Sequence, residues 1–138
     1  MKILVTGGCG FIGSNFIEYL LKDSEVQETN KNIEVINVDK QTYAGRGKNI
    51  EHMGLDKDAR YKFVKADIAE KETIERIFKE ENPEMIFNFA AESHVDRSIL
   101  DSENFIRSNF LGAVNLFDLA RKYKVKKFVQ ISTDEVYG

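Results

Sequence analysis

The stretch VTGGCGFIG, residues 5–13, joins an apolar run, KILVT over residues 2–6, to a segment in which Ile12, Phe16, Ile17, Leu20 and Leu21 recur at helical spacing through about Lys22. Strand, glycine turn and helix in that succession predict a tight βα junction where bare backbone approaches a neighbour or a ligand. Two glycine frames fit, Gly8-x-Gly10-x-x-Gly13 and Gly7-x-x-Gly10-x-x-Gly13, and they share two of their glycines. A junction of this kind offers a pyrophosphate a tight turn without side chains and the positive N-terminus of a helix. Cys9 lies beside that helix start, where a thiol can be activated, but no second thiol or obvious base adjoins it, so it reads as a small residue filling a loop slot.

Outward from the junction, short β-branched runs alternate with amphipathic stretches, the pattern of βα units stacked around a parallel sheet. Residues 33–39, IEVINVD, form a buried second strand after a polar segment, KDSEVQETNKN, that carries no periodicity. A long glycine-punctuated loop, QTYAGRGKNIEHMGLDKD, follows, and loops of this length are usually functional or disordered. A third strand is YKFVKAD, residues 61–67; a helix over 70–81 turns Ile74, Ile77 and Phe78 to one face and stops at Asn82-Pro83. The fourth strand is MIFNFA, residues 85–90, and the fifth KKFVQIS, residues 126–132. Between them a helix over 103–123 is expected to bury a stripe of Ile106, Phe110, Ala113, Val114, Phe117 and Ala120. The whole reads as one α/β domain, residues 1–138: a Rossmann-type doubly wound parallel sheet in the order 3-2-1-4-5 with helices on both faces.

Bulk properties agree with that architecture and narrow the partners. The 138 residues are 42% hydrophobic and 31% charged, an ordinary globular composition. A net charge of −3, with both signs scattered, leaves no basic face for nucleic acid. No apolar run approaches the ~20 residues that span a bilayer. The single cysteine excludes an internal disulfide framework and a multi-cysteine metal site. The apolar N-terminal run is broken by glycines too early for a secretory signal, and the cytoplasm is the expected compartment.

In such a sheet the ligand crevice lies at the carboxyl ends of the strands. Asp39 ends the second strand, 26 residues past Gly13 rather than the usual ~20, the excess being the polar insertion before the strand. A carboxylate there accepts bonds from ribose hydroxyls and repels a 2′-phosphate, which favours NAD over NADP. Asp67 and the segment Phe89 to Ser93 also fall at strand ends, and the small Ala90 and Ala91 would let a flat cofactor pass close to the backbone.

With these positions in hand, TGGCGFIG, VDKQTYAG, AAESHVDRSI, SNFLGAVNLFDLAR and ISTDEVYG together resemble the extended short-chain dehydrogenase/reductase superfamily and, within it, the dTDP-glucose 4,6-dehydratase family, over the whole chain. The Asp-Glu pair in STDEVYG is the most specific of these motifs. The resemblance implies NAD as cofactor, dTDP-glucose as the nucleotide-sugar substrate, and a dehydration on the way to deoxysugars such as rhamnose. By position it implies that Phe11 and Ile12 meet the pyrophosphate, beside Gly7, Gly10 and Gly13 as the cofactor-binding glycines of the turn, and that Asp39, Lys40 and Thr42 hold the adenosine ribose. Asp67 and Ile68 would contact adenine, Phe89, Ala90, Ala91, Ser93 and Ser108 would line the rest of the cofactor path, and Ser93 and Thr133 would touch substrate. Asp134 would act as general acid and Glu135 as general base. His94 reads as a structural hydrogen-bonder. Another nucleotide-sugar epimerase, dehydratase or decarboxylase of the same superfamily, or a non-catalytic dinucleotide-binding module, are the alternatives.

The family oxidises its sugar with a tyrosine activated by a lysine four residues on, one turn apart on a helix beyond the fifth strand. Tyr61 and Lys65 share that spacing but fall on a strand, where it separates them by ~13 Å. Tyr123 and Lys127 straddle a helix end and a strand start. Neither pair fits the role, and the chain is expected to be the NAD-binding N-terminal portion of a larger enzyme, inactive alone. Self-association, as a homodimer or through the edge formed by the fifth strand, is also expected.

Overall fold

The computed structural model describes residues 1–30, 32–41, 47–92 and 102–132. Strands β1 (Lys2–Thr6), β2 (Glu34–Asp39), β3 (Tyr61–Lys65), β4 (Met85–Asn88) and β5 (Lys127–Gln130) form one parallel sheet in the order β3-β2-β1-β4-β5. The order follows from the hydrophobic runs. β1 and β2 have the densest burial and sit inside, whereas β3 and β5, with half-exposed patterns, are the outer strands of the described sheet.

Strand alternation splits the core in two. Leu4, Ile36, Val38 and Ile86 point to one face and pack against Ile74, Ile77 and Phe78 of α4 (Lys71–Glu81) and Leu116, Leu119 and Ala120 of α6 (Ala113–Lys122). Ile3, Val5 and Val35 point to the other, against Ile17, Leu20 and Leu21 of α1 (Phe11–Lys22) and Ile50 of α3 (Lys48–His52). Helices therefore cover both faces, and every strand delivers its carboxyl end to the same edge of the molecule. α4 ends as expected at the Asn-Pro step: Asn82 takes a left-handed conformation, φ 48° and ψ 60°, and its N–H closes on the Phe78 carbonyl at 2.9 Å.

Three segments differ from expectation. The aperiodic KDSEVQETNKN contains α2 (Ser24–Thr29), started by Asp23, whose carboxylate accepts from the N–H groups of Glu25 and Val26 at 3.0 and 3.1 Å. It buries no residue, so apolar periodicity could not announce it. The described part of the long loop holds α3 and a single 3₁₀ turn, Leu55–Lys57, and through Ile50 and Leu55 it is part of the core.

The third difference lies in the helix before β5. α5 (Ser102–Phe105) runs directly into a π-helical segment (Ile106–Gly112) and on into α6. The wider π turn changes the phase of the helix. Of the stripe expected to be buried, only Ala113 and Ala120 are; Ile106, Phe110, Val114 and Phe117 are 52%, 62%, 42% and 47% exposed. The inward face is made instead by Ser108, Gly112, Asn115, Leu116 and Leu119. A Cβ on Gly112 would stand 2.5 Å from Ile68 Cδ1, so the glycine sets how closely the π segment lies on the end of β3.

Candidate functional site

A cleft of about 430 Å³ opens at the carboxyl ends of the strands. Its floor is the glycine junction. Gly7 has φ +71°, and a Cβ there would meet the Ala90 backbone nitrogen at 2.5 Å, so β1 turns tightly against the end of β4 only without a side chain. A Cβ on Gly13 would run into the Gly7 carbonyl oxygen, which makes Gly13 the point of closest helix-to-turn approach. Gly10 is less confined, its Cβ position making one tight contact, with the Gly7 oxygen at 3.3 Å. Gly7, Gly10 and Gly13 all line the cleft, and Gly8 does not; its missing side chain makes room for Asn37 and Ile17 beneath. Geometry thus selects the longer-spaced of the two frames.

Gly10 is the N-cap of α1, which has neither a side-chain cap nor an acidic residue in its first turn. Among the described residues its first N–H groups have no side-chain acceptor, and a 12-residue helix presents its positive end to the cleft. Phe11 and Ile12, 81% and 61% exposed, form an apolar lip beside it. Bare backbone, free donors and an apolar lip fit a dinucleotide pyrophosphate.

Cys9 is held from three sides. Its N–H donates to Asp39 Oδ2 at 2.9 Å, its carbonyl accepts from Asn49 Nδ2 at 3.1 Å, and its sulfur lies 3.5 Å from Asn37 Nδ2. Burial, then the Asp39 charge, pushes the thiol up to about 11, which makes it a packing residue and not a nucleophile at neutral pH. Asn49 comes from α3, so the long loop braces the glycine turn. No pattern in the sequence marked it for this role.

Asp39 is buried at the end of β2, and burial raises its pKa despite N–H bonds from Gln41 and Cys9 and the nearby Lys40 charge. One carboxylate oxygen accepts from Gln41 N–H at 2.7 Å and the other from Cys9 N–H at 2.9 Å. Each oxygen keeps a further lone pair for a hydroxyl donor. Lys40 Nζ donates to Ser108 Oγ at 2.7 Å and lies 3.1 Å from Glu92 Oε1.

The π segment closes the same end of the cleft, with three consecutive side chains reaching three strand ends. Arg107 Nε donates to Asp67 Oδ2 at 3.0 Å, past β3; Ser108 meets Lys40, past β2; Asn109 accepts from Glu92 N–H at 2.8 Å and donates to its carbonyl at 3.0 Å, past β4. At Asp67 burial pushes the pKa up, but the Ala69 N–H and the Arg107 and Lys40 cations outweigh it and hold the carboxyl below its ordinary value. Arg107 and Asn109 flank the expected Ser108, and Glu92 lies within AAES, but no motif gives any of the three a role. Their partners are remote in sequence, and only folding brings them together.

Beneath the cleft a polar row crosses three strands in register. Thr6 Oγ1 donates to Asn88 Oδ1, which also accepts from Ala90 N–H at 3.1 Å, and Asn88 Nδ2 donates to Gln130 Oε1 at 2.8 Å. This row fixes Ala90 under the cleft and the end of β5 beside it. Ile131 and Ser132 form the far wall. Of the expected site residues, Gly7, Gly10, Phe11, Ile12, Gly13, Asp39, Lys40, Asp67, Ile68, Phe89, Ala90, Ala91 and Ser108 line this one cleft. Thr42, Ser93, Thr133, Asp134 and Glu135, with His94, lie outside the described residues.

Both tyrosine–lysine pairs lie apart from it. Tyr61 accepts from Asn37 Nδ2 at 2.8 Å below the glycine turn, and burial pushes its pKa up to about 12, opposite to what a base requires. Tyr123 donates to Glu75 Oε1 at 3.0 Å on the far side of the sheet, and burial and that carboxylate raise it too.

A parallel 3-2-1-4-5 sheet with its glycine turn against an uncapped helix defines a Rossmann-type domain of the short-chain dehydrogenase/reductase kind. The chain belongs to the GDP-mannose 4,6 dehydratase family, whose profile matches residues 4–138. It is 45% identical to the dTDP-glucose 4,6-dehydratase of Salmonella typhimurium over all of its own length and 38% of that protein's. It is 44% identical to the low-salt glycan biosynthesis protein Agl12 of Haloferax volcanii, covering 41% of it. Among solved structures, DesIV of Streptomyces venezuelae, a dTDP-glucose 4,6-dehydratase with NAD bound, superposes with a TM-score of 0.88 at 41% identity, over the whole chain and 41% of DesIV. The chain thus spans about 40% of the length of the relatives it matches.

Proposed function

We propose that residues 1–138 are the cofactor-binding part of an NAD-dependent nucleotide-sugar 4,6-dehydratase acting on dTDP-glucose. The observation that carries this reading is the continuity of the cleft, from the uncapped start of α1 and Asp39 at one end to Ile131 and Ser132 at the other, immediately before Thr133-Asp134-Glu135 in sequence. Bound NAD would supply the hydride acceptor for C4 of the sugar and return that hydride at C6. The first N–H groups of α1 hold the pyrophosphate, Asp39 orients the ribose through its free lone pairs, and Asp67 and Ile68 flank the adenine. Oxidation at C4 acidifies the proton on C5. Glu135 takes that proton while Asp134 protonates the departing C6 hydroxyl, and Ser93 and Thr133 position the sugar. Adjacent carboxyls in opposite roles require environments that push their pKa values apart.

The tyrosine that would deprotonate the C4 hydroxyl is neither Tyr61 nor Tyr123, because both are engaged away from the cleft and raised in pKa. Residues 1–138 by themselves are therefore expected to bind NAD and leave dTDP-glucose unconverted. A cytoplasmic setting, where both compounds are soluble, goes with this reading, as does self-association through the exposed apolar face of the helix before β5. Calorimetric titration with NAD, paired with a product assay on dTDP-glucose, tests it. Binding without turnover is the expected result; turnover would reinstate one of the two tyrosines, and absence of binding would overturn the assignment.

A further inference from the structure

The end of β2 carries opposite charges side by side, Asp39 and Lys40, and they favour different cofactors. A 2′-phosphate on the adenosine ribose is repelled by the Asp39 carboxylate and attracted by any free ammonium beside it. The Lys40 ammonium is not free. Its Nζ is 2.7 Å from Ser108 Oγ and 3.1 Å from Glu92 Oε1, and the two charged side chains are only 28% and 19% exposed. Glu92 is itself anchored, since its N–H and carbonyl are both bonded by the Asn109 side chain. Arg107, on the same segment, is tied to Asp67. Lys40 and Arg107 are thus each committed to a partner on the wall.

We propose that Glu92 and Ser108 determine cofactor specificity by holding Lys40 away from the ribose, so that exclusion of a 2′-phosphate depends on this lock as well as on Asp39. The inference rests on the dinucleotide reading of the cleft given above. It assigns Glu92 a function that its place beside the alanines does not suggest: it withholds a positive charge that the strand end would otherwise offer to NADP.

The test is to measure dissociation constants for both NAD and NADP by calorimetry, on the full chain and on three variants whose folding is checked by circular dichroism. These are Glu92→Gln, which keeps shape and backbone anchor, Glu92→Gln with Ser108→Ala, and that pair with Lys40→Met. Opening the lock is expected to shrink the NADP-to-NAD ratio of dissociation constants at least about tenfold, with the gain falling as salt rises. Adding Lys40→Met should restore most of the native preference. A ratio unmoved by opening the lock overturns the inference, and so does one that stays narrowed without Lys40, since removal of the Glu92 charge would then suffice. If the double variant does not fold, Glu92→Gln with and without Lys40→Met makes the same comparison. A native chain that binds NAD but shows an unchanged ratio in the variants sinks only this inference. One that binds neither cofactor sinks the function from which it was drawn.

Discussion

Gly7 and Gly54 both have positive φ, +71° and +67°, yet substitution should separate them. A Cβ at Gly54 meets nothing within 4 Å, so Gly54→Ala carries only the left-handed backbone cost of ~1 kcal/mol. At Gly7 the Cβ meets the Ala90 backbone, which cannot step aside without moving the end of β4. Gly7→Ala is expected to lose at least ~2 kcal/mol and to abolish NAD binding, whereas Gly54→Ala keeps it. Urea unfolding and NAD titration of the two variants check this, and equal losses would contradict it. The glycine turn was legible because only glycine meets these demands. Which of two overlapping frames applies was not, because φ and the proximity of Ala90 are set by β4, some eighty residues away in sequence. Asp39 shows the same limit: its place at a strand end was readable, but its bond to the Cys9 N–H was not.

Among the elements, α4 and α6 are joined by Glu75, whose Oε1 lies 2.6 Å from Lys122 Nζ and 3.0 Å from the Tyr123 hydroxyl. The Lys122 bond first, then Tyr123, lowers Glu75 from 4.5 to about 2. A carboxyl lowered on folding stabilises above its ordinary pKa and loses that contribution as pH falls through the folded value. The native chain should therefore lose stability between about pH 4.5 and 2 more steeply than Glu75→Gln, with the two converging at the acid end. Urea midpoints across that range report it, and parallel curves would show that the pairing contributes nothing. Element types and the sheet order followed from periodicity and β-branching. The exposure of Ile106, Phe110, Val114 and Phe117 did not, because a straight α-helical projection cannot anticipate the π segment, and the polar α2 had only its Asp23 cap to announce it.

For the whole molecule, the outward apolar face of the helix before β5 has the largest consequence. Ile106, Phe110, Val114 and Phe117 form an exposed apolar strip among the described residues, and Phe117 stacks on Phe128 of the outer strand β5 at 4.4 Å. Strips of this kind on soluble proteins mark contact surfaces. Sedimentation is expected to show concentration-dependent self-association, shifted toward monomer by Phe110→Glu. A native monomer at high concentration would count against it, and persistence in Phe110→Glu with loss in Val129→Pro would move the contact to the β5 edge.

The order of apolar runs, glycines and strand-end acids determined by itself a doubly wound sheet, the position of its crevice and the family motifs, since local periodicity and backbone sterics are written in neighbouring residues. Only the tertiary structure decided that Lys40 is locked by Glu92 and Ser108, that Asn49 braces the glycine turn, and that the helix before β5 turns its large apolar residues outward. Those contacts join residues from about 40 to nearly 70 positions apart, or depend on helix phase, and their geometry exists only once the sheet has brought the strand ends together.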